Sequence, residues 1–154
     1  MSWKLVVVGG IVFWLVTFVV SFATGAVIHE GVLKPHYDAH KEFWRPALVQ
    51  DPPDMAALMP YWIAVGVLTG LVLAAIYGCV RPAFPGPGWK RGLYYGLILS
   101  GIYLVFILGW SGVFNLPNAI WFWWAVEPFL YFLPAGAVLG WLGEKLAPAG
   151  PAGA

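Results

Sequence analysis

The sequence predicts an all-α integral membrane protein: four transmembrane helices in an antiparallel bundle, with an amphipathic interfacial segment between the first and second. Three observations carry this. Hydrophobic residues make up 61% of the chain and charged residues 10%, against about 25% charged in soluble domains, and the mean hydropathy is +0.80. Four apolar runs are each long enough to cross ~30 Å of hydrocarbon, which takes about 20 helical residues. Finally, the polar chemistry is concentrated in one stretch, His29 to Arg45, which holds all three histidines, three of the seven acids and three of the eight Lys/Arg.

The first run, 5–28, is 24 residues without a charge. Its length exceeds the roughly 7–15 apolar residues of a secretory leader, so it is read as a span. Gly31 and Pro35 punctuate the chain after it and open a polar loop, 29–54. There Tyr37, His40, Trp44 and Leu48 recur at helical spacing, with Asp38, Lys41, Glu42 and Arg45 off that face. This predicts a short amphipathic helix broken near Pro46. Asp51-Pro52-Pro53-Asp54 is a turn, and Asp54 is placed to cap the second span, 55–80. Pro60 falls early enough in that span to be tolerated. The run from Arg81 to Gly88 holds three prolines and cannot continue a helix. The third span is expected at 92–114. The fourth, 119–146, would be capped by Asn118 and interrupted by Pro128 and Pro134. Residues 1–146 form a single four-helix domain, and 147–154 a small-residue tail.

Basic residues set the expected orientation. Lys4, Arg81, Lys90, Arg91 and Lys145 share one side, and Lys34, Lys41 and Arg45 the other. By the positive-inside rule both termini are cytoplasmic and the loop 29–54 is outside, in an inner or plasma membrane if the source is bacterial. Trp44, Trp62, Trp110, Trp121, Trp123 and Trp124 then fall at the outer interface as anchors, and Trp3, Trp89 and Trp141 at the inner one. Only Trp14 is mid-span. An indole prefers this level because its body is apolar and its N–H is wet.

Small residues recur at small-xxx-small spacing: Ser21/Gly25, Gly66/Gly70, Gly92/Gly96/Ser100 and Gly136/Gly140. In lipid such seams mark faces where backbones approach closely, either within the bundle or against a partner subunit. Cys79, the only cysteine, is expected to be a small buried residue, and it excludes an intrachain disulfide and a thiolate metal cage.

Glu127 is the one ionisable residue well inside a span, about 8 residues or ~12 Å into the fourth helix. A carboxylate there must face the bundle and either pair or stay protonated. With Pro128 and Pro134 beside it, it is a candidate proton or cation site. His29 and Glu30 end the first span on the side from which the fourth enters, so the three groups are expected to converge. His36 and His40, spaced i, i+4, form with Asp38 a candidate divalent-metal set. That set lacks HExxH spacing and the Glu-x-x-His pairs of di-iron bundles, so a metal is disfavoured. Haem is disfavoured too, because no histidine lies inside a span.

A net charge of +1 without a basic patch excludes a nucleic-acid partner. No phosphate loop or nucleophile motif is present, which leans away from an enzyme. The leading expectation is an accessory or scaffold subunit of a larger membrane complex. Its surroundings would be the lipid bilayer and other membrane subunits or further copies of itself, with lipid, quinone or pigment on the aromatic outer face. The alternatives are a small transporter or channel-like protein working through Glu127, and a metal or redox site on the outer loop. The layout resembles that of small bacterial four-helix membrane proteins with a polar first loop and a Gly-rich last helix, here ending Gly136-Ala137-Val138-Leu139-Gly140. The resemblance is architectural and implies no activity and no site residue.

Overall fold

Four long apolar helices dominate the computed structural model, which describes residues 2–147. Apart from Ala147, the tail expected at 147–154 lies outside the described residues. Helix α1 (Leu5–Val32) opens and closes on a wider π turn. Short helices α2 (Lys34–Asp38) and α3 (Pro46–Val49) follow, with a 3-10 turn at Lys41–Phe43 between them. Helices α4 (Met55–Val80), α5 (Gly88–Ser111) and α6 (Asn118–Leu146) complete the chain. All four long helices are apolar enough to cross a membrane, and no strand occurs among the described residues.

Helix α1 packs between α4 and α6, and α6 in turn holds α5. Each junction is built on missing side chains. At α1–α4, a Cβ on Gly10 or Gly70 would strike the other helix's backbone, and one on Gly66 would meet the Trp14 indole. Trp14, the mid-span tryptophan, is therefore seated on a glycine. At α5–α6 the closest approach runs through three successive turns: Gly88 lies against Gly140, Gly92 against Gly136 and Gly140, and Gly96 against Phe132. As numbers rise along α5, those of its α6 partners fall. Phe13 stacks on Phe132 with centroids 6.0 Å apart, joining α1 to α6. Tyr95 closes α5 on α4, its hydroxyl donating to Leu73 O (2.8 Å) and its ring 5.3 Å from that of Tyr77.

One end of the molecule gathers Ser2, the end of α4 and the last turn of α6. Ser2 Oγ lies 3.5 Å from Leu146 O, and Arg81 donates to Gly143 O (2.7 Å) and Ala147 O (2.5 Å). The other end carries α2, α3 and the α5–α6 turn, and is called the loop end below.

Several expectations change. Helix α1 runs to Val32 rather than ending at 28, because Leu33 is buried with Ile28 and Ile120 and draws the chain onward. The amphipathic helix through Tyr37, His40, Trp44 and Leu48 does not form as one piece. His40 leaves helical geometry at φ −134°, ψ 44°, and Trp44 is extended. Asp54 caps α4 as expected, accepting from Ala57 N at 3.1 Å. Helix α5 begins at Gly88, a turn earlier than expected, because Pro87 serves as its N-cap and Glu144 accepts the Gly88 N–H. Gly86 makes the turn before it at φ +88°, a conformation that favours glycine. Helix α6 is continuous through Pro128 and Pro134, and Asn118 is its first residue rather than a side-chain cap. Cys79 is exposed, not buried.

Candidate functional site

The two halves of the site come from α1 and α6, which cross at the loop end. Glu127 lies nine residues into α6, or ~14 Å along the axis, and is only 8% exposed. Thr24 and His29 of α1 face it, five residues apart. The π turn at Ile28–Val32 widens the helix there. Thr24 Oγ1 donates to Glu127 Oε1 (2.9 Å), and His29 Nε2 meets Glu127 Oε2 at 3.0 Å. The His29 side chain is 33% exposed against 10% for Glu127, so the pair links the interior to the surface.

Beyond His29 the network continues into α2. His29 Nδ1 lies 2.7 Å from Tyr37 Oη, which also accepts from Trp124 Nε1 at 3.0 Å. Trp44 Nε1 donates to the Tyr37 carbonyl at 3.2 Å. One arrangement of protons uses every donor and acceptor here. In it Trp124 N–H donates to the Tyr37 oxygen and the Tyr37 hydroxyl donates to His29 Nδ1. His29 then carries its proton on Nε2 and donates to a Glu127 carboxylate that also accepts from Thr24. Every polar atom in the line then has a partner. Burial pushes the Tyr37 phenol up to about 12; the Trp124 hydrogen bond opposes the rise, and Glu127 and Glu30 add to it. Tyr37 is thus a hydroxyl donor throughout the physiological range.

Of the three groups expected to converge, two do. Glu30 is exposed and bonds to neither Glu127 nor His29. The loop candidates stay apart. His40 Nδ1 donates to His36 O at 2.9 Å, and Asp38 pairs with Lys34 and Lys41 at 3.8 Å each. Among the described residues, no three His, Cys, Asp or Glu side chains gather as a metal site. Thr24, Tyr37 and the roles of Trp44 and Trp124 are what sequence reasoning missed. Thr24 left only a faint signal, as one of three hydroxyl residues with Thr17 and Ser21 in an uncharged run. Tyr37 left none, because its partners are 8 and 87 positions away.

The tryptophans expected as one group divide. Trp62 and Trp110 are exposed. Trp123 packs with Ile28, Leu33 and Ile120. Trp121 is buried and donates to Leu116 O at 3.1 Å. Trp44, Trp121 and Trp124 instead form an edge-to-face chain, with centroids 6.0 and 5.7 Å apart. With Phe43, Trp110 and Phe114 they line an open apolar cleft of about 210 Å³. The glycines Gly66, Gly70, Gly92, Gly96, Gly136 and Gly140 are all occupied by this chain's own atoms, whereas Gly25 meets only His29 of its own helix.

No protein family, curated protein or solved structure matches the chain. The chemistry of the site therefore has to carry the functional reading.

Proposed function

We propose that the chain is a four-span integral membrane protein, an antiparallel bundle with both termini cytoplasmic, that binds and releases a proton at the Glu127–His29 pair as a small transporter or channel-like protein. Four helices of sufficient length and apolarity support the membrane reading. The asymmetry of basic residues supports the orientation, with the loop end outside. Exposed Trp62 and Trp110 fit the outer interface.

The observation that carries the function is the hydrogen-bonded line from partly exposed His29 to buried Glu127. An ionisable group inside a span is costly and marks proton or ion pathways when it is kept. An extra proton entering at His29 has two resting places. It protonates Nδ1, which makes Tyr37 turn its hydroxyl away, or it passes through the ring to Glu127 and leaves a neutral pair. Either way the pair, taken as neutral His29 and ionised Glu127 at rest, loses its net negative charge, and proton uptake is coupled to the packing of α1 on α6. The test is proton flux in proteoliposomes under an imposed pH gradient. Wild type should exceed empty liposomes, and Glu127→Gln should lose at least about tenfold, the scale of a removed proton-transfer group. Flux in Glu127→Gln equal to wild type overturns the reading.

A second reading, an accessory or scaffold subunit, draws on the open aromatic cleft at the loop end. Its main sequence motive, the surplus of small-residue seams, is largely accounted for inside the chain. Mild detergent extraction that yields a stoichiometric second membrane protein would favour it, and a clean single species would remove it.

A further inference from the structure

The apolar cleft at the loop end shares a support with the proton line. Six of the eight residues lining it carry aromatic rings, and none of the eight is charged. Phe43, Trp110 and Phe114 are exposed, so the cleft can be reached from outside. Two of its walls, Trp44 and Trp124, meet edge to face with centroids 6.0 Å apart. Both are held by Tyr37. Trp124 Nε1 donates to the Tyr37 hydroxyl oxygen and Trp44 Nε1 to the Tyr37 carbonyl, and the Trp44 and Tyr37 rings lie 5.0 Å apart. The same Tyr37 hydroxyl is 2.7 Å from His29 Nδ1. Of the four tryptophans around the cleft, three have their N–H groups engaged, Trp44 and Trp124 on Tyr37 and Trp121 on Leu116 O. Among the described residues the Trp110 N–H has no such partner, which leaves it available to a ligand.

The lining defines what fits. A dry apolar cavity of ~150 Å³ holds one benzene, so a cleft of about 210 Å³ takes a single substituted ring. Rings set edge to face present both edges and faces, and a flat ring packs on these better than a flexible acyl chain. An uncharged wall disfavours an ion, whose desolvation nothing there would offset. An indole donor suits a carbonyl oxygen. We propose that the cleft binds a neutral, quinone-like ring, flat, apolar and bearing an acceptor oxygen, and that its occupancy is linked through Tyr37 to the proton on the His29–Glu127 pair. At rest the Tyr37 oxygen accepts from Trp124 and its hydrogen goes to His29 Nδ1. Once Nδ1 is protonated, two N–H groups point at one oxygen and the hydroxyl hydrogen loses its acceptor. Turning Tyr37 relieves this and disturbs the seats of Trp44 and Trp124. A ring packed on those indoles therefore favours the neutral imidazole, and by reciprocity a proton expels the ring. The titratable groups around this joint are Glu127 from α6 and Glu30 beside His29, both within electrostatic reach of Tyr37. Tyr103 from α5 and Tyr131 from α6 are within reach of Glu127. On α2 the others are His36, Lys34 and Asp38, the last two 3.8 Å apart as a pair.

This inference rests on the reading of His29 and Glu127 as a proton site, and the two fail separately. Wild-type proton flux in Glu127→Gln defeats that reading, whereas flux without ring binding defeats this one alone. The experiment is equilibrium dialysis of the full chain in detergent against radiolabelled tetramethyl-benzoquinone, with protein-free micelles as the blank. The methyl groups block addition to exposed Cys79, and the probe itself does not titrate. Wild type should bind it saturably. Affinity at about pH 5 should be about five- to tenfold weaker than at about pH 8, the range over which histidine changes charge, because the link is worth one hydrogen bond. Tyr37→Phe, which lacks the hydroxyl, and His29→Gln, which lacks the titrating ring, should each bind equally at both pH values. Trp110→Leu should lose about tenfold at both, through a lost ring and a lost donor. Trp110→Phe keeps a ring and should lose less. Trp62→Leu removes an exposed tryptophan outside the cleft and should match wild type. No saturable binding, equal wild-type affinity at the two pH values, pH dependence kept in Tyr37→Phe and His29→Gln, or an equal loss in Trp62→Leu overturns the proposal. So does displacement by decanol as readily as by unlabelled quinone, which would mark a groove for acyl chains.

Discussion

The α5–α6 seam and the loop end hold helices together by opposite means. Along the seam, Gly88, Gly92 and Gly96 leave nothing between the two backbones, and a Cβ at any of them would strike the opposite main chain. At the loop end, Thr24, His29, Tyr37, Trp124 and Glu127 fill the space with side chains and join them by directional bonds of 2.7–3.0 Å. Helices in lipid gain little from burying apolar surface against one another, so close approach and hydrogen bonding are the two means left. The first is intolerant of volume and indifferent to protons. The second tolerates volume better but depends on the count of donors and acceptors, so only it can respond to pH.

The largest effect should come from breaking the seam. Gly92→Leu or Gly136→Val forces α5 and α6 apart, and overpacking of this kind costs about 1–3 kcal/mol or more. Loss of the cooperative unfolding transition in detergent, followed by circular dichroism, is the expected outcome. A variant that unfolds like wild type would mean that the seam is not a close contact.

Next comes Glu127→Leu, which takes the acceptor from His29 Nε2 and leaves Thr24 Oγ1 only Ser21 O at 3.3 Å, at a cost of about 1–3 kcal/mol. Glu127→Gln keeps an acceptor for Thr24 and should lose less in the same unfolding measurement. Equal losses would show that charge, not hydrogen bonding, holds the pair.

Tyr37→Phe should cost about 1 kcal/mol by removing the acceptor of Trp124 and the donor to His29. It also carries a pH signature. The phenol titrates near 10.0 in the unfolded chain and is pushed up to about 12 when folded, chiefly by burial. A raised value contributes stability that is present below pH 10 and lost as pH rises through 12. Wild type should therefore lose stability across that alkaline window by an amount that Tyr37→Phe does not. Parallel curves for the two proteins would remove Tyr37 from the buried network.

The smallest effect sharpens the contrast from the other side. Gly109 of α5 faces open space, so Gly109→Ala should leave packing unchanged and stabilise by about 0.5–1 kcal/mol through helix propensity alone. A loss there would mean that the face is covered.

Much of the fold was legible because apolar runs of this length leave a chain few alternatives. The boundaries of α4 came out at 55–80 as expected, since Asp54 caps one end and Arg81-Pro82 closes the other. Helix α5 was misplaced by a turn because Gly88 resembles a loop residue until α6 is set against it. Pro128 and Pro134 suggested interruption, yet α6 passes through both. Half of the site was legible as well. An acid inside so apolar a helix must find a partner, and His29 falls near the end of α1 on the right side.

The chain by itself determined that there are four long apolar helices and that Glu127 would be the costly residue among them, because helix length and the expense of a buried charge are local properties. Tertiary structure alone decided that His29 rather than Glu30 meets Glu127, and that Tyr37 and Trp124 extend the line. Each of these depends on which faces of separate helices are brought within about 3 Å, the reach of a hydrogen bond. Small-residue spacing says that helices can approach closely, but not which neighbour they meet or how each is rotated.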